Sequence, residues 1–471
     1  MTPFPWSTRE VLQATGGSLL FSSAPAVFNR IGIDSRKIET DQLFVAIVGE
    51  THDGHQFVAE VLDRGAAGIV VEAEKTASLP LERIKAKRLA CIAVTDTTRA
   101  LGDLARFNRN RGALKVVAVT GSNGKTSTRT LLDLVVSQGY ETLSTSGNLN
   151  NHIGLPLTLL RLSPSHRAAV LEMGMNHPGE IEYLGRICEP DIGIITNVGP
   201  AHLEGLGSLE NIARAKGELL HTLRVDGTAL LNLDDPLVAG LVDAIDQEVV
   251  FFGQNPEAQV RAEQLSLTDG KTTFTLITPS GRIHVALSTP ARVMVSNALA
   301  AAAAGIQMGI PLPAIKSGLE SFSPAEGRMG IRSLNRNLCL VDDTYNANPS
   351  SMKAAIETLS LMREGRRTIL VLGDMLELGP QSSVLHKQIG RTAGKARIDL
   401  LFATGRFATD VADGAMDGEM NADGIYTGTK EALIETLNQK LQPNDLVLVK
   451  GSRGMAMETV VEAICRWADP E

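Results

Sequence analysis

The chain has 471 residues, 43% of them hydrophobic and 21% charged. That is the composition of an ordinary globular protein with room for two to four domains at roughly 100–200 residues each. Lys and Arg number 45 against 53 Asp and Glu, a net charge of −8, so no overall positive field draws nucleic acid or an anionic membrane; twelve Phe, four Tyr and two Trp argue against a base-stacking platform.

The N-terminus has no basic stretch followed by an apolar core, so no secretory signal is expected and the chain is placed in the cytoplasm. Cys91, Cys188, Cys339 and Cys465 are far apart and form no Cys-x-x-Cys pair, which disfavours a disulfide framework or a thiolate zinc site and fits a reducing compartment. From Ile31 to about Thr98, short β-branched runs at 43–48 and 67–71 alternate with helical stretches such as 56–64, the pattern of a small α/β unit. A second block opens with an apolar run at 116–119, turns through 120–125 and continues as a helix over 126–136. Further strands are expected at 168–171, 191–195 and 229–232, predicting a mostly parallel sheet covered on both faces. The most apolar long window, 293–310, is broken by Ser296, Asn297 and Gln307, and its alanines read as a tightly packed core helix, not a membrane span. A third block starts near 323–328, with strands expected at 338–341, 368–372, 400–403 and 446–449. This is again a doubly wound α/β rhythm, in which ligands bind beyond the C-terminal ends of the strands. The expected fold class is therefore α/β in three domains, 1–98, 99–324 and 325–471.

The strongest chemical signal is Thr120-Gly121-Ser122-Asn123-Gly124-Lys125-Thr126, between a predicted strand and a predicted helix. Glycines let backbone N–H groups cradle phosphates, the helix N-terminus adds positive potential, Lys125 supplies a charge and the Thr126 hydroxyl can hold Mg²⁺. Val119 stands where the first glycine of the usual spacing would be. A glycine-rich turn entering a helix cap is the plainer reading; the strand before it and the Lys-Thr register favour nucleotide binding. No Asn-Lys-x-Asp segment occurs, so ATP is favoured over GTP. Glu172, at the tip of a sheet strand, is where a metal-holding acid would sit, although a carboxylate there also serves as a cap. His202, after the next strand, is the matching candidate from the neighbouring loop; alone it would read as structural. Lys216, in a helical stretch over 212–218, reads from composition as a surface lysine.

Together with Gly147-Asn-Leu-Asn-Asn-His-Ile-Gly-Leu-Pro156 and Glu172-Met-Gly-Met175, these segments resemble the central domain of the Mur ligases, which build the cytoplasmic peptidoglycan precursor. The resemblance implies that Lys216 is carbamylated by CO₂ and that two Mg²⁺ ions bind, one at Thr126 and Glu172, the other at Glu172, His202 and Lys216. Lys125, Glu172, His202 and Lys216 would be catalytic, and Asn151 would touch substrate. Asp34-Ser-Arg36 and Asp53-Gly-His55 are similar to the UDP-binding start of the two later ligases, which implies a small N-terminal UDP-binding domain. There Ser35 and Arg36 would meet the diphosphate, and Asp53 and His55 the uridine or sugar. Plainer accounts are a capping turn and a surface arginine.

In the third block, Asp342-Asp-Thr-Tyr-Asn-Ala-Asn-Pro-Ser350 resembles the family members that add D-alanyl-D-alanine to UDP-N-acetylmuramoyl-tripeptide, and implies a Rossmann-like C-terminal domain. By that resemblance Asp343 holds the ATP ribose, Tyr345 lies near adenine with Asn297, and Arg328 reaches the phosphates. Asn346, Asn348, Lys450 and Arg453 would serve the substrates. An Asx-rich turn and ordinary surface cations explain the same residues without ligands. One departure is that Ala291-Arg-Val-Met294 stands where the family usually has Gly-Arg-His-Asn. The implied activity is an ATP-dependent amide ligase working through an acyl phosphate, with no protein nucleophile, in keeping with the absence of a Gly-x-Ser-x-Gly or Cys/His constellation. A monomer is expected, and the third residue of the tripeptide stays open. A folylpolyglutamate ligase, a diaminopimelate- or lysine-adding Mur ligase and a non-ligating nucleotide switch remain the alternatives.

Overall fold

The computed structural model describes residues 2–21, 26–201, 203–268 and 270–469. Three sheets organise them. The first pairs Ser18–Phe21, Ala90–Val94, Gly68–Glu72, Gln42–Val45 and Arg30–Gly32 in that spatial order, all parallel except the first strand. The runs expected to be strands are here, with β-branched residues buried on both faces, as a helix-covered sheet requires.

The second sheet has nine strands. Seven run parallel in the order Thr142–Ser144, Ala168–Glu172, Lys115–Thr120, Ile192–Ile195, Thr228–Asn232, Glu248–Gly253 and Val260–Thr268; Lys271–Thr278 and Gly281–Leu287 close the edge as an antiparallel hairpin. That edge has no counterpart among the expected elements. Lys271–Thr278 alternates buried residues with exposed or half-buried ones, a one-faced pattern unlike the continuous apolar runs of the sheet centre. Lys115–Thr120 lies between Ala168–Glu172 and Ile192–Ile195, both later in the chain, and the connection from one to the other passes over it so that successive strands are added first on one side and then on the other. Its C-terminal end is thus a topological switch point, where a crevice forms for ligand. The alanine-rich helix Val293–Gln307 packs in the core against the helix Lys125–Val136; small side chains permit the approach, and a Cβ at Gly305 would stand 2.8 Å from Val135.

The third sheet places Gly330–Ser333 antiparallel at one edge, followed by parallel Cys339–Asp343, Leu446–Lys450, Thr368–Leu372, Leu400–Thr404 and Ile425–Gly428. Separate apolar clusters cover its two faces, a doubly wound arrangement. The first two sheets are joined by the helix Thr97–Arg109, capped by Asp96. Thr97 donates to the carbonyl of Ala46 at 2.8 Å, while Asn108 donates to that of Leu159 at 2.8 Å and Arg109 to that of Cys188 at 2.8 Å. A division at residue 98 thus falls in the first turn of a helix gripped from both sides. Among the described residues no helix is long and apolar enough to cross a membrane.

Candidate active site

The phosphate loop leaves the central strand and is tied to its neighbours on both sides. The Thr120 hydroxyl donates to the carbonyl of Met173 at 3.0 Å, so it joins strand ends and is not free for a ligand. Ser122 exchanges hydrogen bonds with Gly199, donating at 3.0 Å and accepting at 2.9 Å. Asn197 accepts from the N–H of Asn123 at 2.8 Å, and Thr196 donates to the Asn123 carbonyl at 2.8 Å. Gly121 and Gly124 both have positive φ, +152° and +78°. Gly124 caps the helix Lys125–Val136 with no side-chain hydrogen bond to its first turn, leaving N–H groups open to an anion. The Lys125 ammonium folds back to the carbonyl of Gly121 at 2.7 Å. Burial and the nearby Arg328 lower its pKa, against the opposing pull of Glu172.

Register sets Glu172 beside Val119 at the strand ends. Its Oε1 accepts from Asn150 Nδ2 at 2.8 Å, whereas Oε2 is buried with no hydrogen-bond partner among the described residues. An orphaned carboxylate oxygen is costly in an apolar interior, and a cation is its natural partner. Thr126, also buried, offers a hydroxyl that makes no hydrogen bond to a described residue. These hard oxygens fit Mg²⁺. His202 lies outside the described residues.

Lys216 corrects the composition-based reading of a surface lysine. It sits two turns into the helix Leu209–Gly217, is 2% exposed, and its side chain makes no hydrogen bond or ion pair with a described residue. Burial, reinforced by the positive charge of Lys125, pushes its pKa well below the usual lysine value. The amine is therefore held toward its neutral, nucleophilic form.

One cavity of about 1490 Å³ joins the phosphate loop to the C-terminal domain. Glu172, Asn151, Asn297, Arg328, Asp343 and Tyr345 line it, as do Asn346, Asn348, Lys450 and Arg453. Arg328 lies over the Tyr345 ring, 3.9 Å from its centroid, a cation–π contact that fixes the guanidinium. Asp343 and Lys450 are register partners on adjacent parallel strands. Lys450 donates to Asp343 at 2.6 Å and to the Asn346 carbonyl at 2.8 Å, so two of its three ammonium donors brace the cavity floor. Burial raises the pKa of Asp343, opposed by that same lysine. Arg453 remains largely exposed. Asn151 caps the helix Gly154–Leu159 through Oδ1, at 2.9 Å from the N–H of Gly154. Asn297 donates to the Met294 sulfur at 3.3 Å, so Met294 supplies a contact of its own in the segment that departs from the family pattern.

Asn348 is buried and bridges domains. Its Oδ1 caps the helix Pro349–Leu361 by accepting from Ser351 at 2.9 Å, and its Nδ2 donates to Asn123 Oδ1 at 2.7 Å. We expect Asn348→Ala to lower stability by about 1 kcal/mol through the lost cap. Asn348→Asp keeps the cap but cannot donate to Asn123, so kcat/KM for ATP should fall about five- to tenfold with melting temperature nearly unchanged. Thermal melts and steady-state kinetics on both variants check this.

Ser35, Arg36, Asp53 and His55 are not among the cavity's lining residues. Ser35 is buried, while the Arg36 side chain is 78% exposed and pairs with Asp34 at 2.9 Å. Both ring nitrogens of His55 are used within the fold: Nδ1 faces Asp53 at 2.6 Å and Nε2 accepts from the N–H of Glu72 at 2.8 Å. His55 thus braces its loop and has no nitrogen left for a ligand. Partial burial acts to raise the Asp53 pKa, but hydrogen bonds from Lys75 and from the backbone and ring of His55 hold it at about 2. A carboxyl depressed from near 3.8 stabilises the fold above that value and loses its contribution as pH falls toward 2. Asp53→Asn should therefore cost up to about 2 kcal/mol at pH 7, with the difference from wild type vanishing near pH 2, as read by denaturant titration across pH.

Asn150, Asn197 and Asn232 were not singled out from sequence. Asn150 orients Glu172, Asn197 holds the phosphate loop, and Asn232 donates to the Thr196 carbonyl at 2.8 Å. The polar run 147–152 was the one signal that could have pointed to Asn150.

Known proteins resemble the chain over nearly its whole length. Residues 119–305 match the Mur ligase middle domain, 327–453 the Mur ligase glutamate ligase domain and 27–109 the Mur ligase catalytic domain. An Escherichia coli UDP-N-acetylmuramoyl-tripeptide–D-alanyl-D-alanine ligase is 38% identical over 445 residues, 94% of each chain. The chain belongs to the Mur ligase family. Mur ligase structures superpose on it closely: MurF from Acinetobacter baumannii has a TM-score of 0.90 at 34% identity, covering 99% of this chain and 100% of that one. MurF from Thermotoga maritima in complex with ADP has a TM-score of 0.83 at 28% identity, covering 93% and 98%. As a Mur ligase, the chain is an ATP-dependent ligase.

Proposed function

We propose that this ligase joins D-alanyl-D-alanine to UDP-N-acetylmuramoyl-tripeptide in the cytoplasm, acting as a monomer whose domains 1–98, 99–324 and 325–471 serve the UDP, ATP and dipeptide ends. The observation that carries the substrate choice is coverage: the match to the Escherichia coli ligase spans 94% of this chain, the outer domains included. The tripeptide carboxylate oxygen attacks the γ-phosphorus of ATP, the bond to the β-phosphate oxygen breaks, and ADP leaves. The dipeptide amine then attacks the acyl phosphate carbon, loses a proton, and phosphate departs as the amide forms. No protein nucleophile is needed, so catalysis rests on positioning and electrostatics. The first-turn N–H groups and Lys125 bind the phosphates, and Arg328, fixed on Tyr345, faces the same cavity. Asp343 is placed for a ribose hydroxyl, and exposed Arg36 is the cation available to the UDP diphosphate.

The residues that would hold two Mg²⁺ ions are Thr126, Glu172, His202 and Lys216. Mg²⁺ would offset charge on the transferring phosphoryl group. The neutral Lys216 nitrogen can attack CO₂, releasing a proton and leaving a carbamate anion. That turns a buried amine without a partner among the described residues into an anionic ligand.

A coupled ADP-release assay tests the function. ADP should form only when ATP, UDP-N-acetylmuramoyl-tripeptide and D-alanyl-D-alanine are all present; release independent of the amino substrates would favour a nucleotide switch, and preference for a single amino acid would favour an earlier Mur ligase.

A further inference from the structure

One border of the cavity is a loop of the C-terminal domain that no step above uses. It follows the strand Thr368–Leu372, and its backbone is pinned at several points. Met375 and Leu378 are buried in the core, while Leu376 and Glu377 between them line the cavity. Leu376 is 44% exposed, an isobutyl group on a wall of the cavity. It lies over the turn that carries Arg453, since a Cβ at Gly454 would come within 3.0 Å of its Cδ1.

His386, buried on the helix Ser382–Lys395, holds this loop. Its Nε2 accepts the N–H of Met375 at 2.9 Å, its Nδ1 lies 2.6 Å from the Ser382 carbonyl, and its ring stacks on Phe407 with centroids 4.6 Å apart. Because Nε2 accepts, the proton sits on Nδ1 and the ring is neutral. Asp374, just before the loop, accepts the N–H groups of Arg406 at 2.7 Å and Phe407 at 3.1 Å. Ser452 Oγ accepts the N–H of Leu376 at 2.9 Å and donates to the Ala347 carbonyl at 3.3 Å. Two successive amides are therefore fixed by side chains from two other elements, so the backbone that presents this apolar group to the cavity is held in place. Such an arrangement suits selection of a small apolar substituent.

We propose that the loop 375–378 is the specificity element for the incoming dipeptide: Leu376 contacts an alanyl methyl group, and His386 is the positioning residue that sets where Leu376 stands. The inference rests on the dipeptide substrate proposed above. A methyl fits against the isobutyl group where a branched side chain would collide, and exposed Arg453 in the adjoining turn offers a cation to the dipeptide carboxylate.

Steady-state kinetics with each substrate varied in turn tests this. Leu376→Ala should raise KM for D-alanyl-D-alanine about tenfold and improve D-alanyl-D-valine relative to it by about tenfold, with KM for ATP and for the muramoyl tripeptide within about twofold of wild type. His386→Leu, which cannot accept the Met375 N–H, should show the same split in KM, and His386→Gln, whose side-chain carbonyl can accept it, should recover most of the loss. If His386→Leu does not fold, Leu376→Ala at its exposed position still decides. Unchanged dipeptide KM and selectivity in Leu376→Ala, or an equal rise in all three KM values, overturns the inference while leaving the substrate assignment standing. Failure of the wild-type enzyme to release ADP with D-alanyl-D-alanine overturns the substrate assignment and this inference with it.

Discussion

Replacing Lys216 with alanine is expected to lower kcat by about 10³-fold, the scale of losing a preorganised charge at the transition state, while the protein stays folded. The sign of the stability effect follows from burial. Lys216 is 2% exposed and meets no partner among the described residues, so the fold bears the desolvation of an amine. Truncation removes that penalty while opening a small cavity, and the two effects oppose, so melting temperature should move by only a few degrees. Bicarbonate and Mg²⁺ should restore no activity to the variant. Wild-type protein given carbon-13-labelled bicarbonate should show a carbamate carbonyl resonance by NMR that the variant lacks. Full activity in Lys216→Ala, or the same resonance in both proteins, would reject the carbamate assignment.

Gly121→Ala is the second large effect. Gly121 has φ +152°, and an added Cβ would stand 1.9 Å from Thr196 Oγ1. That hydroxyl holds the Asn123 carbonyl at 2.8 Å, so it cannot move aside without releasing the phosphate loop. Steric overlap and backbone strain together predict a loss of about 2–4 kcal/mol and at least about a hundredfold drop in kcat/KM for ATP. Adding Thr196→Ala removes the clashing oxygen and should recover part of the stability but little of the ATP affinity, because the Asn123 carbonyl then keeps only one of its two donors, Asn197 Nδ2 at 3.0 Å. Calorimetry with ATP and thermal melts separate the two; a Gly121→Ala protein that binds ATP like wild type would show that the loop does not need this backbone.

How much could be read in advance divides along physical lines. The phosphate loop was legible because its cause is local: an apolar run, two glycines, and Lys-Thr at a helix start lie within a few residues of one another. The core helix Val293–Gln307 was legible from the same kind of evidence, its alanines against a few polar breaks. The hairpin edge 260–287 was missed because one-faced alternation is weak beside the dense runs of central strands. Lys216 could be read only as a surface lysine until the family resemblance gave it a role. Its low pKa arises from the helix Leu209–Gly217 packing into the core and from Lys125, which is remote in the chain. His55 went the other way: beside Asp53 in sequence it resembles a ligand contact, but the N–H of Glu72 occupies its second nitrogen.

The α/β rhythm and the nucleotide loop are written in neighbouring residues, as backbone preferences and the periodicity of burial, while the kind of chemistry was implied by the resemblance to the Mur ligases. Packing between distant segments was needed to show that Asn150 orients Glu172 and leaves one oxygen without a partner among the described residues, that Asn348 meets Asn123, that Lys450 braces Asp343, and that His386 holds Met375 beside Leu376. The reason is that a hydrogen bond or a desolvated charge depends on which distant groups arrive at the same place, and that is settled by packing.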